Sequence, residues 1–296
     1  MRNETLSRAD LIKDTLSFEL KNCSSRKPIQ VISDFDETQC STYVFSGKWN
    51  THAPKIKGNL SEEAQGLKNP MCLATARTSV EPVAWVMWHK LSRPPMPLVT
   101  ENGAVLVWPS ARIAERPKIE ILATNEQVRI MNDIQRKLQT GHIHDLRVPA
   151  NHEVILRPER VATVEVRAQE TQSKKGTPDD YGVITDQLEE MFTDYIPFIE
   201  IVSSGSSLGI QPRGVSKELG IRAALTCAGV NLADVFLVGI GDNKNDVPLF
   251  NLVRQNGGLT IGVRLETEGL TDFVFNGGDE ATLQILKTIN SLNNSS

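Results

Sequence analysis

At 296 residues, with 40% hydrophobic and 23% charged residues, the chain has the makeup of an ordinary soluble globular protein, long enough for one large domain or for a core carrying an inserted second unit. Its 32 Lys plus Arg against 36 Asp plus Glu leave a formal net charge of -4, which argues against a nucleic-acid binder. Four cysteines (Cys23, Cys40, Cys72 and Cys227) without C-x-x-C or finger spacing, an N-terminal segment charged throughout, and no apolar run of about 18 residues argue against a disulfide scaffold, a secretion signal and a membrane span, so the expected location is the cytoplasm.

In chain order, residues 7 to 21 place Leu11, Ile12, Leu16 and Leu20 near helical spacing, with Ser7 and Asp10 as a capping box. This helix is a candidate either for packing on a core or for pairing two copies in a homodimer. IQVISDF reads as a buried strand, followed by a polar stretch, a weaker helix near 61 to 67, and MCLATA as a second apolar strand. SVEPVAWVMWHKL reads as a helix with Pro82 in its first turn, and PLVTENGAVLVWP as a strand, a turn and a strand. From about 110 to 205 the texture changes. ILATNEQVRIMNDIQRKLQT is an amphipathic helix, VATVEVRAQ alternates at the strand period, and TDQLEEMF is helical, with the polar loop TQSKKGTPDD between them. Strand and helix then alternate again through GVSKELGIRAALTCAGV, DVFLVGIGDNKND, GLTIGV and ATLQILKTINSL. Such alternation predicts an α/β core with a mainly parallel, Rossmann-like sheet, interrupted by an α+β insert. The expected division is an N-terminal extension over 1–27, a discontinuous core over 28–108 and 208–296, and the insert over 109–207.

Two acidic clusters carry the chemistry. Side chains on an extended segment alternate faces, so Asp34 and Asp36 project together while Phe35 points inward. Two carboxylates on one side of a strand end repel unless a cation or a proton lies between them. Asp242 and Asp246 follow a second strand in the same way, and carboxylate oxygens with room left for phosphate suit Mg²⁺. In open parallel sheets such sites form at the carboxyl ends of strands.

DFDET at 34–38, Thr75 and Arg77 in LATART, Lys217 in PRGVSKELG and GDNKND at 241–246 resemble, in order, the four motifs of the haloacid dehalogenase superfamily. With ENGA at 101–104 and an insert between the second and third motifs, the chain looks like the Cof-type phosphatases with a type C2 cap, a group that includes sugar-phosphate, sucrose-phosphate and mannosyl-phosphoglycerate phosphatases. The resemblance spans roughly 28 to 108 and 208 to 290 and leaves the insert unmatched. It implies a small phosphorylated substrate, with Asp34 as the nucleophile that forms an aspartyl-phosphate and Asp36 as the acid and base. Thr75 and Arg77 would serve the phosphate, and Lys217 would neutralise both it and Asp34. Asp242 would complete the Mg²⁺ sphere with Asp34 and the Asp36 carbonyl, Asp246 would act through water, and Asn245 would position Lys217 or a phosphate oxygen.

Glu37 and Ala76 depart from the residues common at those positions, and neither removes a reacting group. A phosphomutase would use the same four motifs, and a binding or regulatory protein could retain the fold; the intact Asp34, Asp36, Lys217 and Asp242 argue against the latter. His142, His144 and His152 lack ligand spacing and read as surface or loop residues. Arg147, Arg157, Arg167 and Lys174 in the insert are candidates for substrate contact or for a solvated charged face.

Overall fold

The computed structural model describes residues 8–23, 27–35, 38–39, 56, 58–78, 89–110, 115–148, 152–157, 160–170, 178–203 and 207–294. Residues 79–88 of the helix expected over 79–91 and the capping Ser7 lie outside them, and residues 89–91 are helical.

A parallel sheet organises the core. Strand β1 (Ile29–Ser33) is buried along its length, as is Phe236–Gly241, which pairs with it in parallel from Ile29↔Phe236 to Ser33↔Ile240. Among the described residues the sheet has five strands, adding β2 (Cys72–Leu73) beside β1, and Leu259–Gly262 and then Phe273–Val274 beyond Phe236–Gly241, every neighbouring pair parallel. Strands covered on both faces read as near-continuous apolar runs, which is why IQVIS and FLVGIG show no polar alternation. Val31 faces one apolar cluster with the helices Arg8–Cys23 (α1), Gly58–Gly66 (α2) and Asp279–Asn293, while Ile32 faces a second with the helices Lys217–Cys227 and Val247–Gln255. α1 contributes Ile12, Leu16 and Leu20 to the first cluster, so it packs on the core, while Leu11 and Phe18 stay exposed.

A bridge between Ala74 and Val99 joins the sheet to an antiparallel set, β3 (Leu98–Thr100), β4 (Val105–Trp108) and β5 (Lys118–Ile121). β5 lies within the range expected for the insert, yet it pairs with β4 from Val105↔Ile121 to Trp108↔Lys118.

The second sheet is antiparallel, with four strands among the described residues. Its strands are β6 (His152–Arg157), β7 (Val164–Glu170), β8 (Ile199–Ser203) and β9 (Leu208–Pro212), in the order β6-β7-β9-β8. β9 lies in the range expected for the core and pairs instead with β7 and β8. Helices α3 (Asn125–Gln139) and α4 (Pro178–Met191) cover one face through Ile130, Ile134, Leu138, Ile184 and Leu188, closing an apolar cluster separate from those of the core. α3 starts at Asn125, not at Ile121, because Thr124 and Gln127 form a capping box that satisfies both ends of the first turn. The remaining helices are numbered α5 (Lys217–Cys227), α6 (Val247–Gln255) and α7 (Asp279–Asn293), and the remaining strands β10 (Phe236–Gly241), β11 (Leu259–Gly262) and β12 (Phe273–Val274). Among the described residues, no helix is long and apolar enough to cross a membrane.

Candidate active site at the carboxyl edge of the parallel sheet

β1 and β10 end side by side, and each delivers an acid one residue beyond its last paired position. The Asp34 backbone N–H donates to the Ile240 carbonyl at 2.9 Å, extending the ladder by one step and fixing where the Asp34 carboxylate emerges. Asp242 follows β10 directly, and its Oδ1 accepts from the Thr38 hydroxyl at 3.3 Å. Lys217 enters from the opposite side as the first residue of α5, where Ser216 caps the helix and aims the side chain inward. Its Nζ donates to Asp34 Oδ1 at 2.7 Å and to Asp246 Oδ1 at 2.6 Å, and the ammonium is 2% exposed.

Asp246 is fully buried and uses both oxygens within the protein. Oδ1 holds Lys217, while Oδ2 accepts the backbone N–H groups of Asp242 (3.0 Å) and Asn243 (3.3 Å). It therefore ties the loop after β10 to the lysine, the positioning task expected of Asn245. A Cβ on Gly241 would lie 2.6 Å from Asp246 Oδ2, so only glycine there lets the carboxylate fold back under its own loop. Asn245 Oδ1 is buried and has no hydrogen-bond partner among the described residues.

The electrostatics call for a cation. Oxygens of Asp34, Asp242 and Asp246 lie within 4.8 Å of one another, and three ionised carboxylates against one ammonium would leave an excess of two negative charges, to be offset by a cation or by a proton on Asp242. Burial, then the charges of Asp34 and Asp246, push the Asp242 carboxyl up to about 9 against the weaker pull of Lys217 and Thr38. Burial alone would depress Lys217, but the charges of Asp246 and Asp34 and their hydrogen bonds outweigh it and hold the ammonium above its ordinary range. All-oxygen donors, surplus negative charge and an orphaned amide oxygen at Asn245 fit a hard divalent ion such as Mg²⁺. Asp34 and Asp242 are the carboxylates best placed to touch it, since Asp246 is already engaged.

Thr75 is buried one strand over from Asp34, because the preceding Ala74 N–H donates to the Ser33 carbonyl at 2.9 Å. Its hydroxyl accepts the Arg77 N–H at 3.1 Å, which tightens the LATART turn in place of the missing glycine. The Arg77 guanidinium lies 5.8 Å from the centre of the Phe35 ring. Asp36 and Glu37 fall outside the described residues.

The second sheet turns a polar face toward this edge. Residues paired directly across strands share a face, so Glu165, Gly209 and Val202 lie together, flanked by Arg167, Gln211 and Glu200, opposite the apolar cluster. The Cβ direction of Gly209 points at Asn102 Nδ2, 3.8 Å away, so this face looks onto the core. Arg160 and Glu165, each almost fully buried, form an ion pair there, and Arg167 Nε donates to the other oxygen of Glu165 at 3.1 Å. Of the insert residues singled out by sequence whose side chains are described, Arg167 lies on this face. Arg147 is exposed, joined through its backbone to Gln187, and His142 and His144 are exposed on a short turn. Lys174 and the side chains of Arg157 and His152 lie outside the described residues. Sequence offered no signal for Arg160; Glu101, buried in ENGA, could have been suspected, since a buried carboxylate requires partners.

A family model described as haloacid dehalogenase-like hydrolase matches residues 31–261. A sequence comparison with curated proteins finds no match. Among solved structures, the chain is similar to the C-terminal domain of C. albicans trehalose-6-phosphate phosphatase (TM-score 0.62, 14% identity, covering 97% of this chain and 97% of that one). It is also similar to Aspergillus fumigatus trehalose-6-phosphate phosphatase (TM-score 0.58, 17% identity, 98% of each chain) and to a haloacid dehalogenase-like hydrolase from Bacteroides thetaiotaomicron (TM-score 0.53, 14% identity, 88% of this chain and 100% of that one). The order of strands, the meeting of Asp34, Lys217 and Asp242 at one sheet edge and the match over 31–261 lead to one conclusion: the chain belongs to the haloacid dehalogenase-like hydrolase family.

Proposed function

We propose that the protein is a Mg²⁺-dependent phosphomonoester hydrolase that acts on a small sugar phosphate through an aspartyl-phosphate on Asp34. The observation that carries this reading is the contact of Lys217 with Asp34 at 2.7 Å beside Asp242, an arrangement that pairs a buried carboxylate with fixed positive charge. Asp34 Oδ2, the oxygen that does not hold Lys217, is assigned to attack phosphorus, and Lys217 offsets charge on the nucleophile and on the incoming phosphoryl group. Bound Mg²⁺ would supply further neutralisation of the phosphoryl oxygens and orient them for in-line transfer. Asp36 is assigned to protonate the leaving alcohol and then to activate water, and Thr75, Arg77 and Asn245 to hold the phosphate.

A sugar as the leaving group is supported by the polar face above the site. Glu165, Arg167, Glu200 and Gln211 are donors and acceptors suited to hydroxyls, and among the described residues that face carries no aromatic ring of the kind a base would stack on. The similar trehalose-6-phosphate phosphatases act on a sugar phosphate by name. The test is phosphate release from a panel of sugar phosphates, nucleotides and phospho-acids, with Mg²⁺ or with EDTA, using wild type beside Asp34→Asn. Turnover of a sugar phosphate that vanishes with EDTA and falls by at least about 10³-fold in Asp34→Asn is expected. Activity that survives in Asp34→Asn would refute the nucleophile assignment.

A further inference from the structure

ENGA has no part in the chemistry described above, yet its first residue is fully buried and tied to both halves of the molecule. Glu101 Oε1 accepts the Val161 N–H at 2.8 Å. Oε2 accepts the Ala162 N–H at 2.9 Å, the Thr163 N–H at 3.0 Å and the Thr163 hydroxyl at 2.9 Å. All these donors belong to the turn joining β6 to β7 in the second sheet. The backbone of the same residue faces the other way: Glu101 N–H donates to the Arg77 carbonyl (2.9 Å) and Asn102 N–H to the Thr75 carbonyl (3.1 Å). From the turn, Arg160 returns to this loop, its Nη1 donating to the Ala76 carbonyl at 2.9 Å.

The backbone at Glu101 is unusual in a way that suits this task. Glu101 and Asn102 hold φ of +50° and +56°, a region that costs a side-chain-bearing residue of order 1 kcal/mol. A glycine would relieve that cost. Glutamate at this position is matched to four donors and needs no metal or ligand to satisfy it.

We infer that Glu101 is a positioning residue: its carboxylate pins the β6–β7 turn of the insert to the Thr75–Arg77 loop, and so sets the height and register of the Glu165–Arg167 face over Asp34. The inference rests on the phosphatase reading for its kinetic consequence, but not for its structural one. The pin acts on the part of a substrate that reaches the insert and leaves the phosphoryl chemistry of Asp34 and Lys217 alone.

The test compares wild type with Glu101→Gln, which keeps the shape but turns an NH₂ against N–H donors, and with Glu101→Gly, which removes the carboxylate while relaxing the backbone. Amide exchange at Val161, Ala162 and Thr163 is expected to quicken at least about tenfold in both, with β1 and β10 amides unchanged. With the sugar phosphate that wild type prefers, KM is expected to rise about tenfold, while kcat/KM for p-nitrophenyl phosphate, too small to span to the insert, stays within about twofold. Thr163→Val, which deletes a single one of the four bonds, is expected to lie between. Unchanged exchange at 161–163 would overturn the pin. An equal loss on both substrates would overturn its confinement to the insert. Wild type inactive on every phosphate ester would sink the phosphatase reading and leave the exchange result to decide the pin by itself.

Discussion

Lys217 is the residue whose environment is most tightly defined, since one ammonium serves two buried carboxylates. Removing one member of such a group leaves its partners charged and unpaired, and losses of about 3 to 5 kcal/mol are typical. Lys217→Met is therefore expected to lower the urea unfolding midpoint of the metal-free protein steeply and to abolish phosphate release; a midpoint close to wild type would show that Asp34 and Asp246 find other compensation. A second residue-scale prediction concerns acid. The Tyr195 hydroxyl, then Arg136 and Lys137, hold the Asp133 carboxyl down at about 2, against an ordinary value of 3.8. For a carboxyl depressed in the folded state, the stabilisation is complete above the unfolded-state value and is lost as pH falls from about 4 through about 2. Asp133→Asn should accordingly melt below wild type at pH 7, with the gap narrowing as pH drops below 4. A gap that does not change with pH would place the contribution in packing. At this scale the sequence foresaw that Asp34, Lys217, Asp242 and Asp246 would meet, because each follows a strand or opens a helix. It did not foresee that Asp246 spends both oxygens inside its own loop, which depends on how that loop closes in three dimensions.

Elements were legible where a period or a buried run was long. IQVIS, VATVEVRAQ and the pattern over α3 each announced themselves, and α3 was misplaced only at its start, where Thr124 overrides the apolar residues before it. β5, β6, β8, β9 and β12 were not foreseen. KIEI is exposed on its first three positions, and IEIVS and LGIQP gain their definition from pairing with each other, a contact that no local pattern encodes. The turn between β3 and β4 was foreseen as a turn, but its packing was not. Gly103 there has φ of +97°, and a Cβ on it would lie 1.9 Å from the Ser216 carbonyl and 2.9 Å from the Lys217 nitrogen. Gly103→Ala combines left-handed strain with a backbone clash, so a loss of about 3 kcal/mol is expected. Because the clash falls on the first turn of α5, activity should drop further than stability alone accounts for when both are measured at a temperature where the variant is fully folded. A variant that is destabilised but fully active would show that α5 shifts without disturbing Lys217.

At the scale of the whole molecule, the change of texture in the sequence is the ground for expecting a core and an insert, and the strand pairings bear on where the joins fall. β5 continues the β3–β4 sheet and β9 completes the second sheet, so we propose joins near Thr124 and Arg213. Those two points are neighbours in space: the Gln127 side chain donates to the Arg213 carbonyl at 2.9 Å. Among the described residues, the apolar cluster of the insert shares no buried residue with the two clusters of the core; Ala162, in the pinned turn, belongs to the first core cluster. A chain in which residues 124–213 are replaced by a short Gly/Ser linker should therefore close without strain and unfold cooperatively, uncovering Glu101 to water, where its charge is tolerated. Its phosphoryl chemistry should persist on p-nitrophenyl phosphate, since Asp34, Lys217, Asp242 and Asp246 are all supplied by the core. Its preference among sugar phosphates should collapse, because Glu165, Arg167, Glu200 and Gln211 leave with the insert. Identical substrate profiles before and after the deletion would remove the insert from recognition and return specificity to the core residues around Asp34.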